Sequence, residues 1–184
     1  AQGSGGGRIA IYADTIDSTI LKSATAAYSR WGGAGAGTVY TQDSTCGDKA
    51  GVISIYAGRS NIGHTNQITS IVPQYMEGGD TLADFRNATV NISGGTRVWA
   101  TNVTVHAVSV ASNVSKIDLR GCNLKTDKMI LGGNKIPTGT YNISSTALAS
   151  DGTSVTLADY FIDSKSSTDG TVVVLGSSFM LIIR

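Results

Sequence analysis

The densest set of groups able to do chemistry lies between Lys116 and Lys128. Asp118 and Arg120 alternate with Ile117 and Leu119, Asp127 follows one short strand later, and Lys116 and Lys125 stand nearby. Two carboxylates placed across a glycosidic bond can hydrolyse it, and a polysaccharide lyase needs a basic residue beside an acidic or metal-bound subsite. Strand alternation turns Asp118 and Arg120 outward on one face. The plainer reading is a solvated face whose exchangeable ion pairs contribute little each. It carries more weight, because carboxylates on the outer side of a strand need no special purpose.

Other reactive types are scattered. His64 and His106 are far apart and neither has a partner at metal-ligand spacing, so no zinc site is expected. Asp14 with Asp17, or Asp43 with Asp48, could offer oxygen atoms to calcium, but the chain has neither a 12-residue calcium loop nor a G-G-x-G-x-D repeat. Serine is abundant without a G-x-S-x-G elbow. The glycine clusters Gly5–Gly7 and Gly32–Gly37 lack the G-x-x-x-x-G-K-[ST] pattern, and Gly7-Arg8 opens a strand instead of a helix, which argues against the competing reading of a phosphate loop. Trp31, Trp99, Tyr28 and Tyr75 could stack on sugars, against the plainer reading of packing beneath loops. Cys46 and Cys122 match no C-x-x-C motif. They form either a disulfide tying the glycine-rich start to the middle of the chain, or two separate buried thiols. No cofactor is expected.

These residues must be carried by strands. From Thr81 to Leu131 the pairs Val90/Ile92, Val98/Ala100, Val103/Val105, Val108/Val110, Ile117/Leu119 and Met129/Leu131 read in-out-in, the period of a strand. Gly, Asn, Ser and Thr interrupt them at shorter intervals than the roughly 8–12 residues of a sandwich. Val90 to Val108, Val98 to Ile117 and Val108 to Ile130 suggest a coarser repeat of roughly 18–22 residues, the range of solenoids. Asn87, Asn102, Asn113, Asn123 and Asn134 fall between strands, where Asn tolerates left-handed backbone and its amide can bond the neighbouring turn. The expected fold is all-β, a right-handed parallel β-helix with irregular glycine-rich rungs at its N-terminal end. Val90, Ile92, Val103, Val105, Ile117, Leu119 and Leu131 should form its core.

One domain of 184 residues is expected, in three stretches. Residues 1–79 are glycine-rich, with strands at Arg8–Ala13, Thr38–Gln42, Gly51–Ala57 and Gln67–Val72; Ser18–Arg30 reads as a helix or as a loop. Residues 80–133 are the regular coil. Residues 134–184 hold strands at Gly139–Ser144, Ser154–Asp163 and Gly170–Leu175 and an apolar end.

Charged residues are only 15% and the formal net charge is +1, so there is no field to gather nucleic acid, and no run is long enough for a membrane span. The chain opens Ala1-Gln2-Gly3 with no signal-peptide pattern, which fits a leader already removed or one piece of a longer polypeptide.

Gly3-Ser4-Gly5-Gly6-Gly7-Arg8-Ile9-Ala10-Ile11-Tyr12 and Trp31-Gly32-Gly33-Ala34-Gly35-Ala36-Gly37-Thr38-Val39-Tyr40 share one plan, a glycine cluster running into a strand. The pair resembles the glycine-rich β-helical segments of large secreted bacterial surface proteins, adhesins and autotransporter-like passengers. Ile136–Tyr141 and Gly170–Gly176 are similar to the closing turns of that family. The resemblance covers the first 57 and last 50 residues. It implies a secreted, cell-surface, non-enzymatic role, as an adhesin module or filament subunit, and it assigns no catalytic residue. Because it is bacterial, the sequons at Asn87, Asn91, Asn102, Asn113 and Asn142 are expected bare. The alternatives are a polysaccharide-active enzyme using Asp118, Arg120 and Asp127, and a carbohydrate-binding module with glycans as partners.

Assembly is the last expectation. Phe179, Met180, Leu181, Ile182 and Ile183 form an uncharged, proline-free run of high β-propensity, the composition of a segment that pairs with another strand. It either folds back on its own domain or adds to the next copy, head to tail, giving a homo-oligomer or open filament. Sedimentation of a chain lacking residues 178–184 distinguishes the two.

Overall fold

A computed structural model describes residues 8–17, 36–47, 50–56, 68–70, 86–100, 102–164 and 169–176. The described chain is all-β, mostly strand with almost no helix. The candidate helix at Ser18–Arg30 and the apolar run Phe179–Ile183 lie outside the described residues. No described helix is long and apolar enough to cross a membrane.

The middle of the chain passes back and forth between two sheets. Strands β3 (Val52–Tyr56), β5 (Thr89–Ser93), β7 (Val103–Val110) and β9 (Asn123–Leu131) lie side by side and parallel in the larger sheet. The intervening strands β4 (Ile68–Ser70), β6 (Arg97–Trp99) and β8 (Lys116–Asp118) lie side by side and parallel in the smaller one. Parallel neighbours need a crossover, and here each sheet's strand is the other sheet's crossover. Residues one repeat apart become partners: Val90 pairs with Val108, and Val98 with Ile117. Val108 pairs with Met129, not with Ile130 as the spacing suggests.

That one-residue difference has a local cause. In β7 the inward residues are Val103 and Val105, then Val108 and Val110, so the in-out alternation slips once between them. β9 makes the same slip between Thr126 and Met129. The larger sheet bends there. β5 meets β7 only along Ala107–Val110, whereas β15 (Thr171–Val174) meets β9 only along Asn123–Thr126, so the two limbs have different neighbours. At the bend the hydroxyl of buried Thr126 lies 3.1 Å from the His106 carbonyl and 2.9 Å from that of Lys128, which gives two backbone acceptors a partner inside an apolar core. The core draws side chains from both limbs and from the smaller sheet. Val90, Ile92, Val103, Val105, Ile117, Leu119 and Leu131 are all buried in it, as the alternation requires.

Left-handed backbone sits at the turns. Among the asparagines expected to supply it only Asn102 does so (φ 42°), while Gly94 and Gly95 after β5, Arg120 and Gly121 after β8, and Gly132 and Gly133 after β9 are among the other residues that do. Asn123 contributes through bonding instead: its N–H donates to Asn102 Oδ1 at 3.0 Å, and the Thr171 hydroxyl donates to Asn123 Oδ1 at 2.6 Å.

The two ends are irregular. β1 (Arg8–Ala13) is parallel to β2 (Gly37–Asp43), which runs antiparallel to β3. Their register puts Thr38 and Tyr40 on the side of Ile55 and Ile53, and Tyr40 packs against the core with Tyr12 tilted on it at 5.7 Å. Gly51 lies under that ring, where a Cβ would come within 2.7 Å of it. Towards the C-terminus, β10 (Asn134–Ile136) turns back on β9, and β12 (Thr146–Leu148) pairs with β13 (Ser154–Thr156). The single strand expected at Ser154–Asp163 is instead β13, one 3-10 turn at Leu157–Asp159, and β14 (Phe161–Ile162), which joins β8. The turn lets Leu157 and Phe161 both reach the core, which a continuous strand of that length would carry past it. β11 (Gly139–Tyr141) pairs antiparallel with β15 at the edge of the larger sheet.

Candidate functional site

The acidic and basic residues gathered by sequence between Lys116 and Lys128 are separated by the fold. Asp118 ends β8 in the smaller sheet, whereas Asp127 sits at the bend of β9 in the larger one. Asp118 does leave the strand on the side opposite Ile117, but it is not solvated. Its side chain is fully buried. The reason is a cover of polar partners. Arg97 Nη2 donates to Oδ2 at 2.6 Å and the Ser164 hydroxyl does so at 2.8 Å, while the N–H groups of Ser164 and Arg120 reach Oδ1 at 3.1 and 3.3 Å. Burial pushes the carboxyl pKa up, but the Ser164 hydroxyl, the Arg97 guanidinium and the Ser164 N–H together outweigh it, and the group is held below its ordinary value.

Arg120 does not stand free beside it. Its backbone is left-handed, and its guanidinium lies over the Trp99 ring, 4.1 Å from the centroid, a cation–π contact. Next in the chain, Gly121 donates its N–H to Asp163, whose other carboxylate oxygen accepts from the Gly170 N–H at 2.7 Å. Gly170 must be glycine there, because a Cβ would stand 2.6 Å from that of Leu119. Lys116 is spent on the 3-10 turn, donating to the carbonyls of Ala158 (3.1 Å) and Asp159. Asp127 pairs with His106 at 3.0 Å, both partly exposed. Lys125 lies in a shallow groove of about 230 Å³ with Asn102, Val103, Thr104 and Asn123.

Among the described residues no three His, Cys, Asp or Glu side chains converge on a metal position. The Asp43 carboxylate is occupied by the hydroxyl and N–H of Thr45, which hold its pKa down. Asp14 and Asp17 are exposed. Asp48 and His64 lie outside the described residues, as do Tyr28, Trp31 and Tyr75. Cys46 and Cys122 are both free, half-buried thiols. All five sequon asparagines are exposed. No protein-family model matches the chain, no curated protein is similar to it, and no solved structure matches it.

Sequence reasoning missed Arg97 and Ser164 as the partners of Asp118, and the His106–Asp127 pair. For the last the signal was available. His106 and Asp127 are 21 residues apart, as are Asn102 and Asn123, which is the step that sets Val108 beside Met129. Ser164 carries no such signal, since it returns to β8 only after the excursion through β10 to β13.

Proposed function

We propose that the chain is a stretch of right-handed parallel β-helix and serves as an extracellular, non-catalytic structural module, a surface adhesin module or filament subunit. The strand order supports the helical path, because a chain that alternates between two parallel sheets with partners one repeat apart is winding around a single core. The low charge and polar, uncharged surface fit an extracellular setting.

The observation that carries the non-catalytic reading is the state of Asp118. A general acid of a glycosidase needs a raised pKa and an open path to the leaving oxygen. Asp118 has the opposite shift, no exposure, and four donors already on its two oxygens. Arg120 is likewise committed to Trp99, and Asp127 lies in the other sheet. These groups hold three segments of chain together instead of facing a substrate. Incubation with polygalacturonate and with neutral glucans, followed by assays for reducing and unsaturated ends, should give no signal above a heat-denatured control. New ends that vanish in Asp118→Asn or Asp127→Asn would overturn the reading.

A further inference from the structure

We propose that the groove at the N-terminal ends of the paired strands β7 and β9 binds a carboxylate-bearing sugar, a uronic acid unit, through Lys125 and the side-chain amides of Asn102 and Asn123. The groove's volume of about 230 Å³ suits a single sugar ring. Its polar groups are arranged as donors. Asn102 Oδ1 accepts the N–H of Asn123, and because that N–H can only donate, the amide's Nδ2 is turned away from the backbone. Asn123 Oδ1 is taken in turn by the Thr171 hydroxyl, which leaves the amide's Nδ2 donors to be satisfied elsewhere. No described residue accepts from either Nδ2. Lys125 makes no ion pair or hydrogen bond with any described residue, and the nearest acidic side chain along β9, Asp127, is engaged with His106.

Two amides with unused N–H donors, the Thr104 hydroxyl and the Lys125 ammonium lining one groove call for an acceptor with negative charge. A carboxylate on a sugar ring meets the ammonium with a charge-assisted bond, and ring hydroxyls meet the amides and Thr104. Two of the donors are held in place by the turn-to-turn bonds of Asn102, Asn123 and Thr171, so little side-chain freedom is lost on binding there.

The inference names a ligand for the adhesin reading proposed above and rests on it, yet the two fail separately: bond cleavage would sink that reading, and lack of binding sinks only this one. The test is calorimetric titration of the 184-residue chain, made in a bacterial host so that Asn102 is bare, with trigalacturonate and with a neutral galactose trisaccharide up to about 20 mM, past a millimolar Kd. Trigalacturonate should bind, the neutral sugar more weakly, and added salt should weaken the first. Lys125→Gln, an exposed change that should leave the melting temperature unaltered, should lower affinity about tenfold or more, the loss of one bond to a charged group. Lys128→Gln, outside the groove, should leave it nearly unchanged. No binding, equal binding of both sugars, or an affinity indifferent to Lys125→Gln would overturn the proposal.

Discussion

Asp118→Ala is expected to destabilise the fold by about 3–5 kcal/mol, the cost of removing one partner from a buried ion pair. The size follows from what remains. Arg97, whose side chain is only 20% exposed, would lose this carboxylate from among its partners, and the hydroxyl and N–H of Ser164 would lose their acceptor in a buried space. Because Ser164 and Arg97 belong to distant parts of the chain, the loss should also loosen β14 and the segment after it from β8. Urea denaturation of the wild type and variant measures the difference.

The same carboxylate gives the pH dependence a definite sign. Its pKa in the folded chain lies below the value of roughly 3.9 expected when unfolded, so its contribution is fully present above that value. It is lost as pH falls towards and through the folded pKa, that is, below about pH 4. Asp118→Asn should be less stable than wild type at neutral pH and show a smaller further loss on acidification. A variant whose stability at pH 7 equals the wild type would show that the Arg97–Asp118 contact contributes nothing net.

Val105→Asp is expected to cost more than about 4 kcal/mol, or to prevent folding. Val105 is 1% exposed and pairs with Thr126, whose single hydroxyl proton already serves two carbonyls. Among the described residues no salt bridge or side-chain hydrogen bond involves Val105, and its surroundings are apolar core, so a carboxylate there is unpaired. Thr104→Asp, one residue earlier on the outward side, should change stability by no more than about 0.5 kcal/mol, as exposed substitutions do. Reversal of the two effects in thermal or urea melts would mean that the strand is turned over.

The regular part of this fold was legible because each burial decision there is local. A strand with one face in the core must alternate, and Val90/Ile92, Val98 and Ile117/Leu119 state that alternation without help from the rest of the chain. The bend at His106–Ala107 and Asp127–Lys128 was not legible, since a slip in alternation looks like noise until two strands share it. Only the match between Val105-to-Val108 and Thr126-to-Met129 reveals it. The N-terminal strands were placed by their sequence, but not their pairing; β2 runs antiparallel to β3, and no residue in Gly37–Asp43 announces direction.

The candidate site was misread for a physical reason. Alternation tells which side of a strand a residue leaves from, and it rightly put Asp118 opposite Ile117. It does not tell what covers that side. Ser164 is 46 residues away in sequence, and it returns only because Phe161 fills the core beside Ile117 and carries β14 to β8. Arg97 is nearer, yet its neighbour across the sheet is Lys116, and it reaches Asp118 only because its side chain is long enough to cross diagonally. A polar residue's role was set by contacts between turns, which composition does not show.

The most direct test of winding around one core is a set of cross-strand nuclear Overhauser effects in an isotopically labelled chain. Backbone contacts should link Val90 with Val108, Val108 with Met129, and Val98 with Ile117, each pair about one repeat of roughly 20 residues apart. The sequence-adjacent strands β5 and β6 should show no backbone pairing with each other. Contacts joining Ile92 to Val98 as a hairpin, with none between Val90 and Val108, would contradict the parallel stack and the account built on it.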